Sequence, residues 1–388
     1  MIAVVADDLT GAAELGGIGL AYGLSVDLTM SVNPTSTADL LVIATDARSV
    51  SESEAVGKMI QVSADLRALK PELIYKKIDS VLRGHVIAET LAQLNVLMLA
   101  KALLIPANPA LGRTLVNGHY YVNGQLIHQT HFAEDPEFPV TESDVMKRFQ
   151  SQVNGLRVQS YRTDFPEQGI VIGEIEKQED LTTWASRLDD QTLLGGGSGF
   201  FTAVLEARQL RRQPMHIPVT LGKTRLYVCG SAFGESVTLV RKAAATGHSV
   251  SYMPKLLTQP TPLNERDFTD WITEITDCLQ RHKQVIIAID PTSVADISGL
   301  SIHLRTVTAT VVGNVLTRVS VEELLIEGGS TASAVLQEIG VTRLVPTNEL
   351  APGVVRSAAI GKAECRPDEL YVTVKPGSYH WPADLWTF

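Results

Sequence analysis

The chain has 388 residues, 45% hydrophobic and 20% charged, which is enough apolar material for two ordinary cores and not the composition of a disordered chain. A formal charge of −10 argues against general affinity for nucleic acid or an anionic membrane surface, so any basic site must be a local cluster working against the overall field. Three scattered cysteines, Cys229, Cys278 and Cys365, argue against a disulfide framework or a structural zinc site. With no basic leader and no apolar run of the roughly 20 residues a membrane span needs, they point to the cytoplasm.

The first predicted element is the buried strand Ile2-Ala3-Val4-Val5-Ala6, which ends in two adjacent carboxylates, Asp7 and Asp8. An Ala/Gly/Leu-rich helical pattern starts at Leu9, so strand, polar turn and helix form half of a βαβ unit. One aspartate is accounted for as a helix N-cap, but a core strand has no structural need of both. In open α/β sheets ligands sit at strand carboxyl ends, where this pair lies. One carboxylate can take a substrate hydroxyl proton while its neighbour holds another hydroxyl or a metal. Thr10 and Gly11 then let an anion approach the helix N-terminus.

Further strands are predicted over 40–44, 72–78 and 101–106, with helices near 9–23, 52–69 and 86–98 between them. That alternation is the mark of a largely parallel sheet covered on both faces. The third strand runs into YKKIDSVLRGH, residues 75–85. Adjacent strand residues point to opposite faces, so Lys76 and Lys77 cannot share a site, whereas Lys77 and Asp79 can. Arg83-Gly84 falls near the next helix start, where a fork of donors suits a carboxylate or phosphate. Alone, this stretch would pass for a solvated charged turn; its recurrence at a second strand end favours a site.

After Pro106 the texture becomes rich in Gly, Asn, Pro and His, with Asn123-Gly124 as a type I′ hairpin signal. Tyr120, Tyr121, Phe132 and Phe138 argue that this long segment is ordered. Prolines around 213–224 mark a boundary, giving domains 1–215 and 216–388. Beyond it come strands at 225–229, 248–253, 284–290, 322–327 and 343–346, with helices at 235–246, 265–282, 299–317 and 330–340. The expected fold is α/β: two α/β domains with largely parallel sheets and an interdomain cleft.

Two glycine-rich turns in the second half each follow a strand and precede a helix: CGSAFGES (229–236) and IEGGSTASAV (326–335). Their backbone N–H groups suit nucleotide phosphates. Other matches fail. LGKT (221–224) has Ile217 where a Walker A loop needs its first glycine and precedes a strand; GGGSG (195–199) gives no GxGxxG reading. His128 and His131 lack a clustered third ligand for zinc, and no GxSxG marks a hydrolase serine.

Together these stretches resemble the four-carbon acid sugar kinases. The family's A-D-D-L-T-G-A motif is matched by Ala6 to Ala12, and its K-x-D-S-T-L-R-G-N motif by Lys77 to His85. Pro106 to Gly124, with Gly112-Arg113, is similar to P-A-x-P-x-x-G-R-T…G-H…V-x-G, and Gln129 to Pro136 to E-T-x-F-A-x-D-P. Arg48 in TDARS matches a short S/T-x-x-R segment, and Lys375-Pro376-Gly377-Ser378 looks like the closing K-S-G-G. Departures are Val81 for Thr, His85 for Asn, Ser330 for Glu, and Pro376, Ser378 and His380 in the closing motif.

The resemblance implies a sugar-acid-binding N-terminal domain, an ATP-binding C-terminal domain, and transfer of phosphate to the terminal hydroxyl of threonate, erythronate or 3-oxo-tetronate. On it, Asp8 is the expected base with Asp7 as alternate, and Lys77 neutralises charge on the transferred group. Arg48, Asp79, Ser80, Arg83, Gly84 and Arg113 hold the substrate. Gly230, Ser231, Gly328, Gly329, Ser330, Thr331 and Gly377 hold ATP, with Mg²⁺ bridging its phosphates through ligands the sequence does not assign. Homo-oligomerisation is left open. Two other readings stand beside this one: a regulatory paralogue that binds a sugar acid but has an impaired ATP site, motivated by the altered closing motif, and an NAD-linked dehydrogenase, which lacks a convincing GxGxxG.

Overall fold

The structure is a computed structural model that describes the chain apart from residues 136–137, 150–153, 188, 214–218, 231–233, 294–299, 362–369, 378 and 387–388. It divides into two compact units, Met1–Pro214 and Met215–Phe388. The first opens with β1 (Ile2–Ala6), α1 (Leu9–Ala21), β2 (Val26–Thr29), β3 (Leu40–Ala44), α2 (Glu52–Leu69), β4 (Leu73–Lys77), α3 (Val86–Leu97) and β5 (Lys101–Ile105). Then come β6 (Arg113–Val116), β7 (His119–Val122), β8 (Gln125–Leu126), α4 (Val145–Phe149), β9 (Leu156–Gln159), β10 (Gly169–Gly173), α5 (Gln178–Ala185), β11 (Thr192–Gly196) and α6 (Ser198–Ala207).

The main sheet of this unit is wholly parallel, in the order β2-β3-β1-β4-β11-β5-β10-β9. Its central strands are buried along their length because both faces are covered. Ala3, Val5, Leu41 and Ile43 pack on Met59, Val62 and Leu66 of α2 and Ala92 of α3. On the other face Gly19 lets α1 close on Leu40: a Cβ there would lie 2.4 Å from Leu40 Cδ2. α2 starts where the sequence reading puts it because Ser51 and Glu54 form a reciprocal capping box.

β1 lies between β3 and β4 in register, Ala6 opposite both Ala44 and Lys77. The chain runs to one side of β1 through β2 and β3, then to the other through β4. The carboxyl ends of β1 and β4 therefore flank the topological switch point of the sheet, the usual place for a ligand.

The stretch after Pro106 holds an antiparallel sheet, β6-β7-β8. Asn123 and Gly124 both have positive φ (50° and 78°) between the paired residues Val122 and Gln125, as a type I′ hairpin requires. Asn117-Gly118 makes the same turn between β6 and β7, a hairpin the sequence reading passed over.

The second unit contains β12 (Arg225–Cys229), α7 (Gly234–Ala245), β13 (Val250–Tyr252), α8 (Glu265–His282), β14 (Gln284–Ala288), α9 (Leu300–Arg318), β15 (Glu323–Glu327), α10 (Gly329–Glu338), β16 (Val341–Ala351), β17 (Val354–Gly361) and β18 (Tyr371–Lys375). Its strands order as β13-β14-β12-β15-β18-β17-β16, parallel as far as β18 and antiparallel beyond. β12 and β15 flank its switch point, with Cys229 opposite Glu327. The predicted strand 343–346 is one part of a longer arm of a hairpin turned at Pro352-Gly353, where Gly353 has φ 74°.

Candidate active site

In the first unit the carboxyl ends of β1 and β4 deliver a cluster of polar side chains. Asp8 is the N-cap of α1: it accepts from the Gly11 amide at 3.0 Å and from the Thr10 hydroxyl. Asp7, 3% exposed, accepts two bonds from Arg48, from Nε at 2.9 Å and from Nη2 at 2.8 Å. Arg48 also reaches Asp8 Oδ1 at 3.1 Å and Asp79 Oδ1 at 3.7 Å, so one guanidinium ties three carboxylates together. Gly84 has φ 83°, and a Cβ there would lie 3.1 Å from Arg48 Cγ, so this turn has to be glycine for the arginine to sit where it does.

These surroundings push the two neighbouring aspartates apart. Burial, aided by the charge of Asp8, raises the Asp7 carboxyl in spite of Arg48. Burial works the same way on Asp8 but loses to Arg48, Lys77, the Thr10 hydroxyl and the Gly11 amide, which hold it below the usual carboxylate range. Lys77 lies over the first turn of α1: its Nζ would be 2.9 Å from a Cβ on Gly11, and it donates to the Ile78 carbonyl at 3.0 Å. Lys76 points to the opposite face, as the alternation predicts, and forms a buried pair with Glu89 at 2.6 Å.

Asp79 is fully engaged. Oδ1 accepts from Arg83 Nη2 at 2.8 Å, and Oδ2 accepts from Arg83 Nε at 2.9 Å and from the amides of Arg83 and Val81 at 3.0 and 3.2 Å. Burial opposes the charge, yet Arg83 and Arg48 hold this carboxyl well below its ordinary range. Arg83 Nη1 also donates to Asp135 at 2.7 Å. Ser80 accepts from Arg113 Nη1 on its hydroxyl and from Tyr120 on its carbonyl. Arg148 fastens the same turn, donating to the carbonyls of Val81 at 3.1 Å and Leu82 at 2.9 Å.

The residues expected from the sequence on this side, Asp7, Asp8, Arg48, Lys77, Asp79, Ser80, Arg83, Gly84 and Arg113, thus gather around the carboxyl ends of β1 and β4. Sequence reasoning assigned no role to Asp135 or Phe132, although both lie in the motif it matched. Tyr120 it read only as ordered, and Arg148 carried no signal. GGGSG, dismissed as a phosphate loop, does join a strand to a helix. Gly196 passes so close to β5 that a Cβ would lie 2.3 Å from the Ile105 carbonyl, and one on Gly197 would reach Ser80 Cβ at 3.8 Å. Val81, where the family pattern has Thr, is a buried core residue; His85 bonds the Val50 carbonyl at 2.8 Å.

In the second unit the two glycine turns meet. A Cβ on Gly230 would lie 2.5 Å from Thr331 Oγ1, so the absence of a side chain lets the first turn of α10 lie against the end of β12. Gly328, with φ 96°, opens α10 without a side-chain cap, ahead of Gly329, Ser330 and Thr331. A helix that begins this way suits a phosphate, so these residues fit a nucleotide. Ser231 lies outside the described residues. Gly377 follows Lys375, whose carbonyl accepts the Gly328 amide at 2.9 Å. Beneath the loops Glu327, fully buried, accepts from Ser236 and from Trp381 Nε1 at 3.1 Å, and pairs with Lys375 Nζ at 3.5 Å. Among the described residues no group of three or more His, Cys, Asp or Glu could cage a metal ion. Mg²⁺ needs no such cage when phosphates and water supply most of its oxygens.

Comparison with known proteins agrees with this division of labour. Residues 2–204 match the model of a sugar-binding N-terminal domain, and residues 226–379 that of a nucleotide-binding C-terminal domain. The chain belongs to the four-carbon acid sugar kinase family. It is 25% identical to a D-threonate kinase of Salmonella typhimurium, covering 97% of this chain and 94% of that one. To a 3-oxo-tetronate kinase of Haemophilus influenzae it is 24% identical, covering 98% and 97%. A D-erythronate kinase of Heliobacterium modesticaldum is 34% identical over 37% of this chain and 34% of its own. A solved Salmonella typhimurium structure shares the fold with a TM-score of 0.77 at 17% identity, over 98% of this chain and 96% of that one. No helix among the described residues is long and apolar enough to cross a membrane.

Proposed function

We propose that this family member is an ATP-dependent kinase that phosphorylates the terminal hydroxyl of a four-carbon sugar acid of the threonate, erythronate or 3-oxo-tetronate type, acting in the cytoplasm. The observation that carries the reading is the first-unit network itself. It sets a carboxylate held in its charged form, Asp8, beside an ammonium, Lys77, at a helix N-terminus, and continues through Arg48 and Asp79 into a group of arginines. A sugar acid needs both kinds of pole, one for its hydroxyl end and one for its carboxylate.

ATP supplies the phosphoryl group, and Mg²⁺ offsets the charge on its phosphates. Phosphoryl transfer asks the protein for positioning and charge stabilisation more than for covalent chemistry. In this reading an oxygen of Asp8 accepts the hydrogen bond of the attacking hydroxyl and takes its proton as transfer completes. A carboxylate of low pKa suits that late role, and Asp7 is the alternate. Lys77 Nζ neutralises charge on the moving phosphoryl oxygens. The arginine cluster around the turn after β4 supplies the positive field for the acid's carboxylate. Because both oxygens of Asp79 are committed to Arg83, its part is to hold that arginine. Gly230, Gly328 to Thr331 and Gly377 line the nucleotide phosphates.

The test is a coupled ADP-release assay of the full chain with a panel of four-carbon sugar acids. Magnesium-dependent release that requires one of the acids supports the reading. Release at the same rate without any acid, or none with the whole panel, overturns it.

A further inference from the structure

We infer that Arg113 is the residue that reads the substrate's carboxylate and so makes the site select acids; the inference rests on the kinase reading and deepens it. Four arginines surround the turn after β4, and three are committed. Arg48 is divided among Asp7, Asp8 and Asp79. Arg83 is held by Asp79 at 2.8 Å and Asp135 at 2.7 Å. Arg148 gives both ends of its fork to the Val81 and Leu82 carbonyls. Arg113 is half-buried and, among the described residues, has no carboxylate within ion-pair reach; its Nη1 donates to the Ser80 hydroxyl. A half-buried cation without a protein anion is poised for one from a ligand, and a guanidinium fork matches a carboxylate in two parallel bonds. Ser80, accepting from Arg113, keeps its own O–H free to donate to the same carboxylate.

Three further features favour this position. The Phe132 ring lies under both Arg113 and Arg83, at 5.7 and 5.5 Å, an apolar floor that strengthens charge pairing above it. The His131 imidazole beside them is held below its usual range by burial first and by Arg113 and Arg83 next. The backbone is also preset. Gly112 has φ 66°, a Cβ on it would lie 2.0 Å from Asn123 Oδ1, and the Arg113 amide donates to the Asn108 carbonyl at 3.1 Å. Little ordering is left to be done when the acid arrives.

The experiment measures KM and kcat of the full chain with threonate and erythronate, each under saturating Mg·ATP, for wild type, Arg113→Gln and Arg113→Lys. The expected result is a KM raised about 10- to 100-fold in Arg113→Gln, as loss of a charge-assisted bond predicts, with a smaller change in kcat. Arg113→Lys recovers part of the loss, and the melting temperature without ligand is unchanged. An unaltered KM in Arg113→Gln, or a loss that lysine does not relieve, overturns the assignment. Should the wild type bind an acid but turn none over, the kinase reading fails while calorimetric titration with threonate still decides this one. Binding heat lost in Arg113→Gln supports it, and equal heat in both proteins sinks it.

Discussion

Asp8 performs two tasks that ordinarily compete. It caps α1 through Gly11 and carries the charge proposed to meet the attacking hydroxyl. Asparagine caps a helix about as well as aspartate, so Asp8→Asn should leave the fold intact while removing that charge. Turnover is expected to fall by about 10²–10⁴-fold, the usual size of a general-base contribution, with the melting curve little moved. Full activity in both Asp8→Asn and Asp7→Asn would defeat the assignment. This pair was legible in the sequence because two like charges side by side at a strand end repel one another and call for partners of opposite charge. Arg148 and Tyr120 were not legible, since they grip main-chain carbonyls 66, 67 and 40 residues away and nothing local in their sequence marks such a contact.

Among elements, the strands buried on both faces announce themselves as continuous apolar runs, and β3, α2, β12 and α8 fall where the periodicity puts them. β10 and β11 did not register because glycines dilute their apolar runs: Gly169 and Gly173 in one, Gly195 and Gly196 in the other. Those glycines serve close approach, which periodicity does not encode; a Cβ on Gly173 would lie 2.2 Å from Ile105 Cδ1. Close approach also makes a test for the second unit. Gly230→Ala must push Thr331 and with it the first turn of α10, since the added carbon would also lie 3.2 Å from Thr331 Cβ. Overpacking of this kind typically costs about 1–3 kcal/mol. We expect the KM for ATP to rise while calorimetric affinity for the sugar acid is unchanged. An unaltered ATP response would mean that the two turns do not act together on the nucleotide.

The whole chain is acidic, yet the proposed acceptor site draws on four arginines and a lysine, which fits a small anion held locally and not a polyanion met over a surface. Each unit carries its own core: Ala3, Val5, Leu41 and Ile43 with α2 in the first, and Tyr227, Ile286, Leu325 and Trp381 in the second. A ligand stabilises whichever body binds it, by an amount set by its concentration over Kd. In calorimetric melting we therefore expect sugar acid to raise the transition of the first unit and Mg·ATP that of the second. A single transition moved equally by either ligand would refute the assignment of one ligand to each unit. Glu327 gathers donors from α7, from β18 and from Trp381. Leu385 adds its carbonyl to the Tyr227 hydroxyl at 2.8 Å. Trp381 and Leu385 are thus part of the wall of the second unit. Truncation ahead of Trp381 would open a sealed ion pair to solvent.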